Sequence, residues 1–160
     1  MPETTASAAV KFGHGAFREL LPLRGSLLAL DASKRRIGLA GTDPDRRLVT
    51  PLTTIARRAW ADDVAHLGRI IRERKVVGLV VGLPLNMDGS EGPMAQTARR
   101  LAQDLDAAFG LPILLQDERL TTFAVEDAIQ EGRLPRPRKG QPTDHYAAAV
   151  ILEDALRALV

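Results

Sequence analysis

Apolar positions along this chain follow two rhythms: short continuous runs, and longer stripes of helical period. Ser26-Leu27-Leu28-Ala29-Leu30 is a short apolar run closed by Asp31, which predicts a buried strand. Residues 36–42 predict a second strand, and the segment 31–36 suits a hairpin turn between the two. Asp43-Pro44-Asp45 marks a further turn. Leu48 to Ile55 predicts a third strand, with Pro51 placing it at an edge or a bulge. Val76–Val81 and Ile113–Leu115 predict the fourth and fifth. Elsewhere the period is that of a helix. Trp60, Val64, Leu67 and Ile71 fall on one helical face, as do Met94, Ala98, Leu101, Leu105 and Phe109. Gly110-Leu111-Pro112 ends the second of these helices. Thr121–Gln130 predicts a third helix, with Thr121 or Thr122 as its cap. Asp144 opens the last helix, which buries Ala148, Ile151 and Ala155.

The order is β-β-β-α-β-α-β-α-α, an α/β fold with a mixed five-stranded sheet flanked by helices. Residues 1–24 read as an N-terminal extension, with Phe17, Leu20, Leu21 and Leu23 placed to pack a short helix on the body. Residues 25–160 read as one domain, long enough to bury a core.

Composition narrows the picture. The chain has no cysteine, which excludes disulfides and thiolate metal sites and makes the cytoplasm the expected compartment. No apolar run approaches the ~20 residues of a membrane span. Met1 to Val10 is small and polar, unlike a secretion signal. The formal charge is only +2. The positives are clustered, however, at 34–36, 46–47, 57–58, 69–75 and 133–139, and clustering is what an anionic polymer feels. Aromatic residues make up 4%, too few for a base-stacking platform. The three histidines lack zinc-ligand spacing, and His145 reads as solvent-facing.

Asp31, Glu118 and Asp144 each stand at an end of an apolar element. Each has a plain reading alone: a turn former, a surface partner for Arg119 or Arg35, and a helix cap. A carboxylate at the edge of a core is costly unless something offsets its charge. If the three converge, the natural partner is a hard divalent cation.

Four segments together resemble the YqgF/RuvX family. They are Leu30-Asp31-Ala32-Ser33-Lys34-Arg35-Arg36-Ile37-Gly38-Leu39-Ala40 followed by Asp43, then Val80 to Gly92, then Gln116-Asp117-Glu118-Arg119-Leu120-Thr121-Thr122. The last is Arg138-Lys139-Gly140 with Asp144 and Ala147 to Leu152. The resemblance runs roughly from Leu27 to Leu156. One position departs: the family usually has glycine where this chain has Ser33.

The resemblance implies an RNase H-like fold and a metal-dependent endonuclease. It implies RNA as substrate, at the 5′ end of pre-16S rRNA, free or on the ribosome. Resolution of branched DNA is the alternative within the same chemistry. Asp31, Glu118 and Asp144 would be the catalytic acids and would hold Mg²⁺ or Mn²⁺. The loop 82–92 would lie on the substrate side, with Asn86 and Ser90 donating to phosphate. Lys34, Arg35, Arg36 and Arg119 would meet phosphates near the acids. Arg138 and Lys139 sit in a basic loop, 133–143, that no acid dilutes, and would add salt-dependent affinity. A monomer is expected rather than a dimer. Two rivals stay open: a nucleic-acid-binding module without turnover, and a phosphotransferase, for which the chain is short of a second lobe.

Overall fold

In the computed structural model, described over residues 10–11, 13–119 and 121–159 with the side chains of 121–123 excepted, the apolar runs lie side by side in one sheet. The elements in chain order are β1 (Val10–Lys11), α1 (His14–Leu20), β2 (Ser26–Ala32), β3 (Arg36–Thr42), β4 (Val49–Ala56) and α2 (Trp60–Arg74). There follow β5 (Val76–Leu83), α3 (Pro93–Phe109), β6 (Ile113–Asp117), α4 (Thr121–Gln130) and α5 (Asp144–Leu159). Thr121 and Thr122, expected to cap α4, have side chains outside the described residues.

The sheet has six strands, ordered β1-β6-β5-β2-β3-β4, where the sequence predicts five. The added strand is β1, which pairs parallel with β6 through Val10↔Ile113 and Lys11↔Leu114. Two residues are too few to show a period, so only the free edge of β6 reveals them. β2, β3 and β4 form an antiparallel meander, and β5 and β6 add in parallel. Pro51 lies in edge strand β4, where the pairing skips from Leu39↔Thr53 to Ala40↔Pro51, a bulge at the expected proline.

Side-chain alternation divides the core into two layers. Leu28, Leu30, Leu39, Leu79 and Val81 pack under α2 and α3. Leu27, Ala29, Ala40, Val80 and Leu114 pack under α1 and α5, against Phe17, Ala148, Ile151 and Ala155. The expected anchor Phe17 is fully buried and Leu21 packs beside it, but Leu20 and Leu23 face solvent. No helix among the described residues is long and apolar enough to cross a membrane.

This parity positions the site. Counting along β2, residues 27, 29 and 31 share the α5 face. On β6 the same face carries 114 and 116, and the next alternate position is 118. On β5 it carries Val80 and Gly82, and on β3 it carries Ala40 and Gly38. Asp31, Gly82 and Glu118 therefore meet below the N-terminus of α5, which Asp144 opens.

Candidate active site

Asp31 stands near the end of β2, one residue after Leu30, which pairs with Val81 of β5. Gly82 and Leu83 pair in turn with Gln116 and Asp117 of β6. The Glu118 N–H then donates to the Leu83 carbonyl at 3.2 Å, which fixes the chain as it leaves the sheet. The Glu118 carboxyl falls over Gly82, where a Cβ would stand 3.0 Å from Glu118 Cδ and 2.7 Å from Ile151 Cδ1. Glycine within a strand often marks such a close approach. Asp31, Ser33, Glu118 and Asp144 line one cleft of about 310 Å³, with Pro84, Leu85 and Met94 on its other wall. Met94, at the start of α3, is 36% exposed.

The two inner acids are hydrogen-bonded to each other. Burial pushes the Glu118 carboxyl up to about 9, helped by the charge of Asp31, their hydrogen bond and the charge of Asp117. Burial also pushes Asp31 up to about 6; the bond from Glu118 lowers it and the charge of Asp144 raises it. At neutral pH the pair holds one proton between its two carboxyls. Glu118 pairs with neither Arg119 nor Arg35, the surface partners open to it in the sequence.

Asp144 stands at the mouth, where its Oδ2 accepts from Arg36 Nε at 2.7 Å. Its neighbour His145 is half-buried, not solvent-facing, with Nδ1 2.8 Å from Thr54 Oγ1 on β4. Burial pulls the His145 imidazole below its usual range, against the charge of Asp144.

The donor set fits a hard divalent cation. The groups acting on Asp31 and Glu118 are burial, each other and further acids, with no basic side chain offsetting them. An all-oxygen set of two half-buried carboxyls and a third at the rim is the chemistry Mg²⁺ and Mn²⁺ prefer. Among the described residues no three His, Cys, Asp or Glu side chains stand close enough together to hold a metal ion, in keeping with the bond that holds Asp144 toward Arg36.

The first turn closes without glycine. Ser33 Oγ accepts from the backbone N–H of Arg36 at 3.1 Å and of Arg35 at 3.4 Å, and the Ser33 N–H donates to the Arg36 carbonyl at 2.9 Å. Positive φ among the described non-glycine residues is confined to Arg46 and Lys75, so Ser33 has ordinary backbone. Lys34 and Arg35 project into solvent from this turn.

The remaining basic and polar candidates divide. Arg119 chelates Asp117 Oδ2 through Nε at 2.9 Å and Nη2 at 2.7 Å, and its Nη1 reaches the Met87 carbonyl at 3.3 Å. It thereby ties β6 to the loop before α3. Within that loop Asn86 Nδ2 donates to Ser90 Oγ at 2.9 Å, and Ser90 Oγ donates to Asp88 Oδ1 at 2.6 Å. Both side chains are engaged in shaping the loop. In the basic loop, Arg133 is answered by Glu131 at 3.4 Å and Glu153 at 3.7 Å, which corrects the expectation of an undiluted cluster. Arg138 and Lys139 are exposed and make no ion pair among the described residues. Sequence reasoning passed over Gly38 and Gly82; glycines inside strands were the available signal.

Residues 25–158 match a family described as "RuvX: Holliday junction resolvase". A Rhodopseudomonas palustris protein named "Putative pre-16S rRNA nuclease" is 48% identical over 138 residues, 86% of either chain. A Rhodobacter capsulatus protein of the same name is 45% identical over 147 residues, 92% of either chain. Among solved structures, Thermus thermophilus RuvC in complex with a Holliday junction substrate aligns with TM-score 0.54 at 14% identity, covering 83% of this chain and 94% of its own. That likeness is one of fold, the RNase H-like fold.

Proposed function

The chain belongs to the RuvX family, and on that premise we propose that it is a metal-dependent endonuclease of RNA, with pre-16S rRNA as substrate. The observation that carries the reading is the half-buried, proton-sharing pair Asp31 and Glu118 at the strand ends, with Asp144 beside them. Structural acids are rarely left buried against each other with no cation near, and perturbed carboxyls in a cleft mark functional sites.

Asp31, Glu118 and Asp144 would hold Mg²⁺ or Mn²⁺, which polarises the phosphate and lowers the pKa of bound water. Asp31 and Glu118 give up their shared proton to serve as ligands. Arg36 steadies Asp144 at the mouth through their 2.7 Å bond. Lys34 and Arg35, on the exposed turn beside the acids, meet substrate phosphates, and Arg138 and Lys139 add attraction without reading sequence. Arg119, Asn86 and Ser90 act by shaping the loop along the cleft.

The family match over residues 25–158 supports a nuclease domain from residue 25 onward, with residues 1–24 as an extension. One RNA strand offers no twofold axis, so a single copy suffices; a four-way junction calls for a paired one. The cytoplasm is where a cysteine-free rRNA nuclease would work.

The family description favours a second reading, resolution of branched DNA by the same acids. One experiment separates them. An end-labelled pre-16S rRNA fragment and a labelled four-way DNA junction are incubated with Mn²⁺ and either wild type or Asp31→Asn. Cleavage of the RNA by wild type alone is expected. Cleavage of the junction alone would establish the second reading, and cleavage by Asp31→Asn at the wild-type rate would sink both. Binding of either nucleic acid without cleavage would leave a binding module.

A further inference from the structure

A second groove, of about 430 Å³, adjoins the acid cleft and is lined by Arg57, Gln96, Thr97, Arg99, Arg100 and Gln103. Two walls join them. Met94 at the start of α3 lines the cleft, and Gln96 and Thr97, a half-turn onward, line the groove. On the facing side Arg57 lines the groove while its Nη1 donates to the Ser33 carbonyl at 3.1 Å, and Ser33 lines the cleft. The Arg57 N–H also donates to the Arg35 carbonyl at 2.8 Å, which holds this arginine against the turn that follows the first acid.

We propose that this groove seats the phosphate backbone of the nucleic acid that flanks the bond to be cut. The inference rests on the nuclease reading and names a substrate contact that reading leaves unassigned. The groove's lining carries three arginines and no acid. Arg99 is held in a two-point pair with Glu91, Nε to Oε1 and Nη2 to Oε2 both at 2.6 Å, so its charge is offset while its position is fixed. Arg57 directs one donor to Ser33 and keeps others for a ligand. Arg100 is exposed and makes no hydrogen bond or ion pair among the described residues.

Gln96, Arg100 and Gln103 stand at i, i+4 and i+7 on α3, one stripe about 10 Å long at the helical rise. Each duplex strand carries one phosphate per ~3.4 Å of helix axis, so such a stripe spans more than one. Guanidinium groups and side-chain amides donate to phosphate oxygens, and Gln also accepts from a sugar hydroxyl. No aromatic residue lines the groove, so it offers no stacking and no preference among bases. The larger cleft at the other end of β2 is a poorer rival, because Glu73 and Asp43 stand among its Arg24, Arg74 and Lys75.

The test is equilibrium binding of a fluorescent single-stranded RNA across a salt series in EDTA, where no cleavage intrudes. Arg100→Gln keeps a good helix former at an exposed position, so the fold is retained. The slope of log K against log salt should fall in magnitude by about 0.7, the share of one phosphate contact on a single strand. Gln103→Glu, which places a negative charge in the groove, should weaken binding further. Both losses should be smaller for an oligonucleotide too short to reach beyond the acid cleft. Arg69→Gln, an exposed arginine of α2 outside the groove, should keep the wild-type slope. An unchanged slope in Arg100→Gln, or an equal loss in Arg69→Gln, would overturn the groove while leaving the nuclease reading in place. No RNA binding by wild type would overturn both.

Discussion

Gly38 of β3 lies so close beneath the first turn of α5 that a Cβ on it would fall 2.1 Å from the carbonyl carbon and oxygen of Asp144. The atoms in the way are backbone, as is the His145 nitrogen at 2.6 Å, so no rotamer change relieves the contact. Gly38→Ala must push the start of α5, and Asp144 with it, off the sheet. Overpacking of this kind costs about 1–3 kcal/mol or more. Chemical denaturation should show the unfolding free energy falling by that amount, and an unchanged value would mean that α5 is not seated on β3 as described.

Gly82 has a different neighbourhood. A Cβ there meets the tip of Ile151 and the carboxyl of Glu118, which are side-chain atoms free to move. Gly82→Ala should fold with a small loss of stability yet displace Glu118. Cleavage of RNA should then drop by at least tenfold, the usual scale when an acid shifts out of place. A variant with wild-type activity would remove Glu118 from the machinery.

Ser33 closes its turn by side-chain hydrogen bonds, in ordinary backbone. Ser33→Gly restores the residue usual in the family and loses those bonds. The expected cost is about 0.5–1.5 kcal/mol, the net worth of a hydrogen bond, with cleavage retained. Thermal melts and a cleavage assay on the same preparation check the two halves. Loss of cleavage with the melt unchanged would assign the Ser33 hydroxyl a role in the reaction.

The acid pair gives the metal-free chain a pH signature. Both carboxyls are raised above their ordinary values, so the folded state binds more protons than the unfolded one across the interval between. The stabilisation is complete below the ordinary values of 3.8 and 4.5 and is lost as pH rises through about 6 for Asp31 and about 9 for Glu118. Stability in EDTA should therefore decline from about pH 5 to about pH 9. Glu118→Gln cannot ionise and should flatten that decline. Parallel melting curves for the two proteins are the measurement; identical profiles would contradict the proton-sharing pair.

Much of the sheet is legible in the sequence because its strands are apolar runs bounded by turns, and 26–31, 36–42 and 76–81 stand close to where they are expected. β1 is not legible, since Val10–Lys11 becomes a strand only through the exposed edge of β6. The fate of Glu118 depends on strand order: β5 between β2 and β6 brings it to Asp31, a neighbour 87 positions away in the numbering. Local sequence offers Arg119 instead, which turns to Asp117. Asp144 is legible as a helix start, but its bond to Arg36 follows from α5 lying across β3. The charge of the basic loop is not legible for the same reason, because Glu153, which stands 3.7 Å from Arg133, comes from α5.

A divalent cation seated on Asp31 and Glu118 must displace the proton they share. Calorimetric titration of Mn²⁺ at neutral pH, repeated in two buffers of different ionisation enthalpy, tests it most directly. Binding should release about one proton, since the carboxyls must be bare to act as ligands, and Asp31→Asn should abolish it. Binding without proton release, or undiminished binding to Asp31→Asn, would place the cation elsewhere and contradict the site.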